Sequence, residues 1–154
     1  MIRILFVCHG NICRSPMAEF VMKDMVRNAG LQDRFLIASA ATSDEEIGNP
    51  VYPPARAELK KHGLSCEGKT ARQVTKDEYA KWDFIIVMEE MNVRNLKRVC
   101  GENECGKVRL LLSFTGSMEG IEDPWYTGRY EKVYAQIEEG CRALLGFIRN
   151  EYHI

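Results

Sequence analysis

An uninterrupted apolar run, Phe84-Ile85-Ile86-Val87-Met88, narrows what this chain can fold into more than any other stretch. Its length suits a strand, and it lacks the polar alternation of a strand with one wet face. A strand buried on both sides belongs to a parallel sheet covered by helices above and below. Ile4 to Val7 is a second run of this kind, and Phe35-Leu36-Ile37-Ala38 and Val108 to Leu112 are two further strand candidates.

Helical signals fill the intervals. Ala18, Val21, Met22, Met25, Val26 and Ala29 recur at helical spacing, and Gly30 follows as a stop. Ser39 to Pro50 is expected as a loop and Pro54 to His62 as a short helix ended by Gly63. Thr75-Lys76-Asp77-Glu78 has the spacing of a capping box, which predicts a short helix there. Another helix is expected from about Glu90 to Val99. The last helix carries Tyr130, Val133, Tyr134, Ile137, Cys141, Leu144, Leu145 and Ile148 on one face. Strands alternating with helices give an α/β fold: a four-stranded parallel sheet with helices on both faces. The chain of 154 residues shows no repeat, linker or low-complexity tract, so a single domain spanning 1–154 is expected. Ligands in such sheets bind at the carboxyl ends of the strands. Right-handed crossovers should bring the loops starting at Ser39, Glu89 and Phe114 to that edge.

The loop after the first strand lies at the same edge and carries the chemistry. It reads Val7-Cys8-His9-Gly10-Asn11-Ile12-Cys13-Arg14-Ser15-Pro16. Ser15-Pro16 is expected to open a helix, with Ser15 as N-cap. A strand-to-helix loop aims backbone N–H groups and the positive helix end at one spot, which suits an anion. Arg14 adds a fork of donors for phosphate oxygens. Cys8 lies where the same field favours a thiolate nucleophile. The Ser15 hydroxyl is placed to donate to the Cys8 sulfur, and Asn11 suits a positive φ and can tie the loop through its amide. Singly, these are a buried thiol, a surface charge and ordinary turn residues; together they form a phosphate cradle holding a nucleophile, and hence a route through a phosphocysteine. The Gly-Lys-Ser/Thr ending of a nucleotide-binding loop is missing. Asp123-Pro124, in a late loop, is a candidate proton donor.

Composition excludes other classes. The net charge of −1 gives no footprint for nucleic acid or an acidic membrane surface. No apolar run has the length of a membrane span, and the short N-terminal run does not resemble a secretory signal. Six Cys without regular spacing read as reduced thiols, hence a cytoplasmic setting, with Cys100 and Cys105 as loop thiols. No Cys/His spacing suggests structural zinc, so neither metal nor cofactor is expected.

Val7 to Pro16 resembles the signature loop of the low molecular weight protein tyrosine phosphatases, also in its position at the start of the chain. The resemblance extends over nearly the whole chain. It implies catalytic roles for Cys8, Arg14 and Asp123, the last from an Asp-Pro-aromatic segment matched by Asp123-Pro124-Trp125-Tyr126. It implies substrate contacts from His9, Gly10, Asn11, Ile12, Cys13, Ser15, Trp125 and Tyr126, with Ser39 joining Asn11 and Ser15 in a network beneath the loop. The implied substrate is a phosphotyrosine-containing protein or a small aryl phosphate, with inorganic phosphate as product and inhibitor. It also implies that Cys13 is a buried neighbour or a reversible disulfide partner of Cys8, and that Tyr126 is a phosphorylation site or an aromatic wall.

The chain departs from the family pattern in three places. Lys69 stands where a His of the supporting network is common. Ser43-Asp44-Glu45-Glu46 is acidic where eukaryotic members often place an aromatic, and Trp125 replaces a common Tyr. His9 is expected to flank the pocket, with His62 and His153 on the surface. Two other functions compete with this reading. A thiol-dependent arsenate reductase shares the loop but needs two further Cys near the third strand, where Glu89-Glu90-Met91-Asn92 stands. A non-catalytic phosphate-binding module would be expected to lack Cys8 or Asp123.

Overall fold

The computed structural model describes residues 1–154. Its strands are β1 (Ile2–Cys8), β2 (Phe35–Ala41), β3 (Phe84–Val87) and β4 (Val108–Leu110). They form one parallel sheet in the order β2-β1-β3-β4. The helices are α1 (Arg14–Asn28), α2 (Pro53–Lys61), α3 (Glu78–Lys81), α4 (Glu90–Cys100), α5 (Pro124–Thr127) and α6 (Tyr130–Tyr152).

Alternate residues of each strand feed opposite faces. Ile4, Phe6 and Ile86 pack against Met17, Val21 and Met22 of α1, Leu59 of α2, and Ile137, Leu144 and Ile148 of α6. Leu5, Val7, Ile85 and Val87 pack on the other side with Trp82 and with Leu96 of α4. The unalternated runs thus reflect helices on both faces. No helix is long and apolar enough to cross a membrane.

Several expected boundaries move. β2 runs on to Ala41 because Ser39, Ala40 and Ala41 pair with Phe6, Val7 and Cys8. Ser39 is therefore a strand residue, not the start of a loop. β4 stops at Leu110, and Leu111–Thr115 turns into a 3-10 helix closed by Gly116 at φ 88°. Its turn is held by Ser113 Oγ donating to Leu110 O at 2.6 Å. Half of the expected capping box forms: Glu78 accepts from Thr75 N–H at 2.6 Å. The same carboxylate also binds Arg72 and Trp82, and α3 is only one turn long. Cys100 ends α4 instead of lying in a loop. His62 is exposed, as expected, but its ring stacks on Tyr134 at 3.8 Å.

One glycine of α6 marks tight packing. A Cβ on Gly140 would lie 2.6 Å from Cγ of the fully buried Leu111. Gly140→Ala gains about 1 kcal/mol of helix propensity. Overpacking against a residue with no room to shift costs about 1–3 kcal/mol. The expected result is net destabilisation in a urea titration; a stabilised variant would mean that Leu111 relocates freely.

Candidate active site

The site forms where β1 hands over to α1. Asn11 takes φ 59°, the positive value expected of it. This bend curls the loop so that Asn11 N–H points at Cys8 Sγ, 3.3 Å away. α1 opens at Arg14, two residues ahead of the expected start, with Cys13 as N-cap and no side-chain cap bond. Ser15 is therefore inside the first turn and does not cap it. Its hydroxyl is engaged elsewhere: Ser15 Oγ lies 3.0 Å from Cys8 Sγ and accepts from Asn11 Nδ2 at 2.8 Å. The uncapped first turn leaves N–H groups free for an anion.

The polarity of this network follows from its far end. Glu19 is 4% exposed and, as a carboxylate, can only accept. Ser39 Oγ donates to it at 2.5 Å, so Ser39 must accept from Asn11 Nδ2, at 2.9 Å. The Asn11 amide is then fixed, with Oδ1 accepting from Arg72 N–H at 3.2 Å. Its second Nδ2 hydrogen goes to Ser15, which leaves the Ser15 hydrogen for the Cys8 sulfur. Two donors are thus aimed at that sulfur, the Ser15 hydroxyl and the Asn11 N–H. Lys69 fills the place of the family's common His: Nζ donates to Ser39 O at 3.0 Å and lies 3.5 Å from Glu19. Burial lowers the Lys69 pKa, while the Glu19 charge works to hold the proton on.

Arg14 is 2% exposed. One guanidinium nitrogen donates to Ile121 O at 2.9 Å and to the Glu89 carboxylate, and the other lies 3.4 Å from Asp123 Oδ2. Burial works against its charge, but Cys8, Glu89 and Asp123 outweigh it and raise the pKa. A buried, fully held fork of this kind is prepaid in conformational entropy and suited to a planar set of phosphate oxygens.

Asp123 reaches the site from far along the chain. It caps α5, its Oδ1 accepting from Trp125 N–H at 3.0 Å, with φ −81° and ψ 110°. The following Pro124 favours this extended backbone. Ile121 N–H donates to Met88 O at 2.8 Å, which ties the late loop to the end of β3. Glu122 turns the other way, to Arg129 Nε and Lys132 Nζ, each at 2.8 Å. Bonds from Lys132 first, and also from Thr127 and Arg129, bring its pKa down to about 2.

A cavity of about 140 Å³ opens above the loop, lined by Cys8, His9, Gly10, Ile12, Cys13 and Arg14 on one side and Asp123, Trp125 and Tyr126 on the other. Glu45 and Glu46 complete the wall. Of the expected substrate contacts, Asn11 and Ser15 are the exceptions: both are buried beneath the loop, beside Ser39. Trp125 leans on Tyr52, with ring centroids 4.6 Å apart, and Tyr126 is 84% exposed. Burial pushes the Cys13 thiol up to about 12, so at neutral pH it is protonated. No other cysteine lines the cavity, and no group of three or more His, Cys, Asp or Glu stands close enough to hold a metal ion.

Three site residues escaped the sequence reading. Glu89 had a usable signal, a carboxylate directly after a strand at the ligand-binding edge. Glu19 had a weaker one, being one turn beyond Ser15 on the same helix face. Tyr52 had none.

The family model for low molecular weight phosphotyrosine protein phosphatase matches residues 3–153. The chain is 37% identical over 153 residues to the low molecular weight protein-tyrosine-phosphatase YfkJ of Bacillus subtilis, covering 98% of each chain. It is 41% identical to the human low molecular weight phosphotyrosine protein phosphatase, covering 92% of each. The crystal structure of the Bacillus subtilis YfkJ protein superposes with a TM-score of 0.93 at 37% identity, over 98% of this chain and 96% of that one. In sequence along its length and in the arrangement of sheet, loop and late acidic segment, the chain belongs to the low molecular weight phosphotyrosine protein phosphatase family.

Proposed function

We propose that this chain, acting as one domain over residues 1–154, hydrolyses phosphotyrosine in proteins, and small aryl phosphates, through a phosphocysteine. The observation that carries the reading is the convergence on Cys8 Sγ of the Ser15 hydroxyl and the Asn11 N–H, facing a cavity that Arg14 and Asp123 also line. The Cys8 thiolate attacks phosphorus in line. The P–O bond to the phenol breaks, and Asp123 donates the proton that the leaving oxygen takes up. Charge on the equatorial oxygens rests on loop N–H groups and Arg14. The incoming dianion takes over the Arg14 contact now made by Asp123 Oδ2. In the second step Asp123 removes a proton from water, the water oxygen attacks phosphorus, and the P–S bond breaks to release inorganic phosphate and the thiolate. We place the protein in the cytoplasm, since six free thiols suit a reducing compartment.

The test is hydrolysis of p-nitrophenyl phosphate and a phosphotyrosine peptide, with capture of a phosphorylated Cys8 by acid quench. The expected rate is unchanged by EDTA, because Arg14 supplies the positive charge; inorganic phosphate and vanadate should compete with substrate. A rate lost on chelation points to another mechanism. Arg14→Lys should lower kcat/KM by about a hundredfold or more, because a point charge replaces neither the fork nor its fixed orientation. Near-normal kinetics in that variant would remove Arg14 from the cradle.

A further inference from the structure

The wall of the cavity has a charge pattern that phosphate recognition does not need. Its floor is positive through Arg14, which is 2% exposed. Its rim is negative. Glu45 and Glu46 both line it, and Asp44 is exposed just before them. The His9 ring sits at the same rim, its Nε2 3.0 Å from Glu45 Oε2. Arg56 lines a neighbouring hollow that shares Ile12, Glu46 and Trp125, outside the phosphate cavity.

The acidic segment is also fixed in place over the cradle. Ser43 donates to His9 O from both N–H, at 3.1 Å, and Oγ, at 2.9 Å. Asn49 Nδ2 donates to Glu46 Oε2 at 2.6 Å. A Cβ on Gly10 would lie 3.5 Å from Glu46 Cγ, so the Glu46 stem lies along the phosphate loop itself. Anchored carboxylates at a cavity mouth act on whatever chain enters behind the phosphate.

We propose that Glu45 and Glu46 determine substrate specificity, selecting phosphotyrosine flanked by basic residues over phosphotyrosine flanked by acidic ones. The proposal rests on the phosphatase reading above. The dianion goes to the floor, and the residues on either side of the phosphotyrosine stay at the rim, within a Debye length of both carboxylates. A flanking lysine is attracted there and a flanking glutamate repelled. Such rim charges act on encounter and discrimination more than on the chemical step, and their effect fades with salt.

The test compares two phosphotyrosine peptides that differ only in carrying lysine or glutamate on each side of the phosphotyrosine. At low ionic strength kcat/KM should favour the basic peptide by about tenfold, falling to about threefold or less in 0.5 M sodium chloride. In Glu45→Gln/Glu46→Gln the ratio should fall close to one even at low salt. The salt dependence of the native protein needs no variant to fold. Equal rates for the two peptides while p-nitrophenyl phosphate is still hydrolysed would overturn the proposal and leave the phosphatase reading standing. So would a preference that survives intact in the double variant. Failure to hydrolyse p-nitrophenyl phosphate at all would remove both.

Discussion

Cys8→Ser should abolish turnover, lowering kcat by at least about four orders of magnitude, while the protein still folds and still binds phosphate. The substitution changes one atom at a position that is 3% exposed. A hydroxyl can keep both bonds the sulfur now receives, from Ser15 at 3.0 Å and Asn11 N–H at 3.3 Å. The polar cradle is therefore left satisfied, and a thermal melt should move by only a few degrees. What disappears is ionisability: no arrangement of two donors and one guanidinium makes a serine alkoxide at neutral pH. Cys13 cannot stand in, because burial keeps its thiol protonated. The variant should accordingly hold vanadate and phosphotyrosine peptides without cleaving them. Appreciable p-nitrophenyl phosphate turnover by pure Cys8→Ser protein would end the phosphocysteine mechanism.

The loop was legible because its residues are contiguous and each has a local reason to be there. Asn11 illustrates this: a residue tolerant of positive φ, in a loop that must curl, takes φ 59°. Ser15 shows the limit of local rules. A serine before a proline reads as a cap, but the helix already opens at Arg14, so the hydroxyl lies inside the first turn beside the Cys8 sulfur. The network behind it was half visible for the same reason. Asn11, Ser15 and Ser39 follow from the resemblance, whereas Glu19 and Lys69 come from α1 and an edge segment that only the folded sheet brings together. Boundaries failed where pairing overrode propensity. Ser39-Ala40-Ala41 has little intrinsic preference for a strand and becomes one beside β1. Leu111-Leu112 looks like a strand and instead winds into a turn under α6.

Asp123→Ala should lower kcat by roughly two to four orders of magnitude, and the loss should depend on the leaving group. Phenyl phosphate, whose phenoxide is strongly basic, should suffer most; p-nitrophenyl phosphate, whose leaving group departs without much help, should suffer less. That dependence distinguishes a lost proton donor from a distorted site, which would slow both alike. Distortion has a specific source here, because Asp123 Oδ1 caps α5 through Trp125 N–H at 3.0 Å. Asp123→Asn keeps an oxygen for that cap while removing the proton, and so should reproduce the leaving-group dependence with less effect on KM. The neighbouring carboxylate is the natural control. Glu122 is held by Arg129 and Lys132 at 2.8 Å each and faces away from the cavity. With its pKa near 2 it holds no proton to give at neutral pH. Glu122→Ala should therefore change kcat by no more than about threefold, as is usual for removal of an exposed ion pair. A severe Glu122→Ala defect beside a mild Asp123→Ala one would transfer the acid role to Glu122. It would leave the parts played by Cys8 and Arg14 unchanged, since neither depends on which carboxylate delivers the proton.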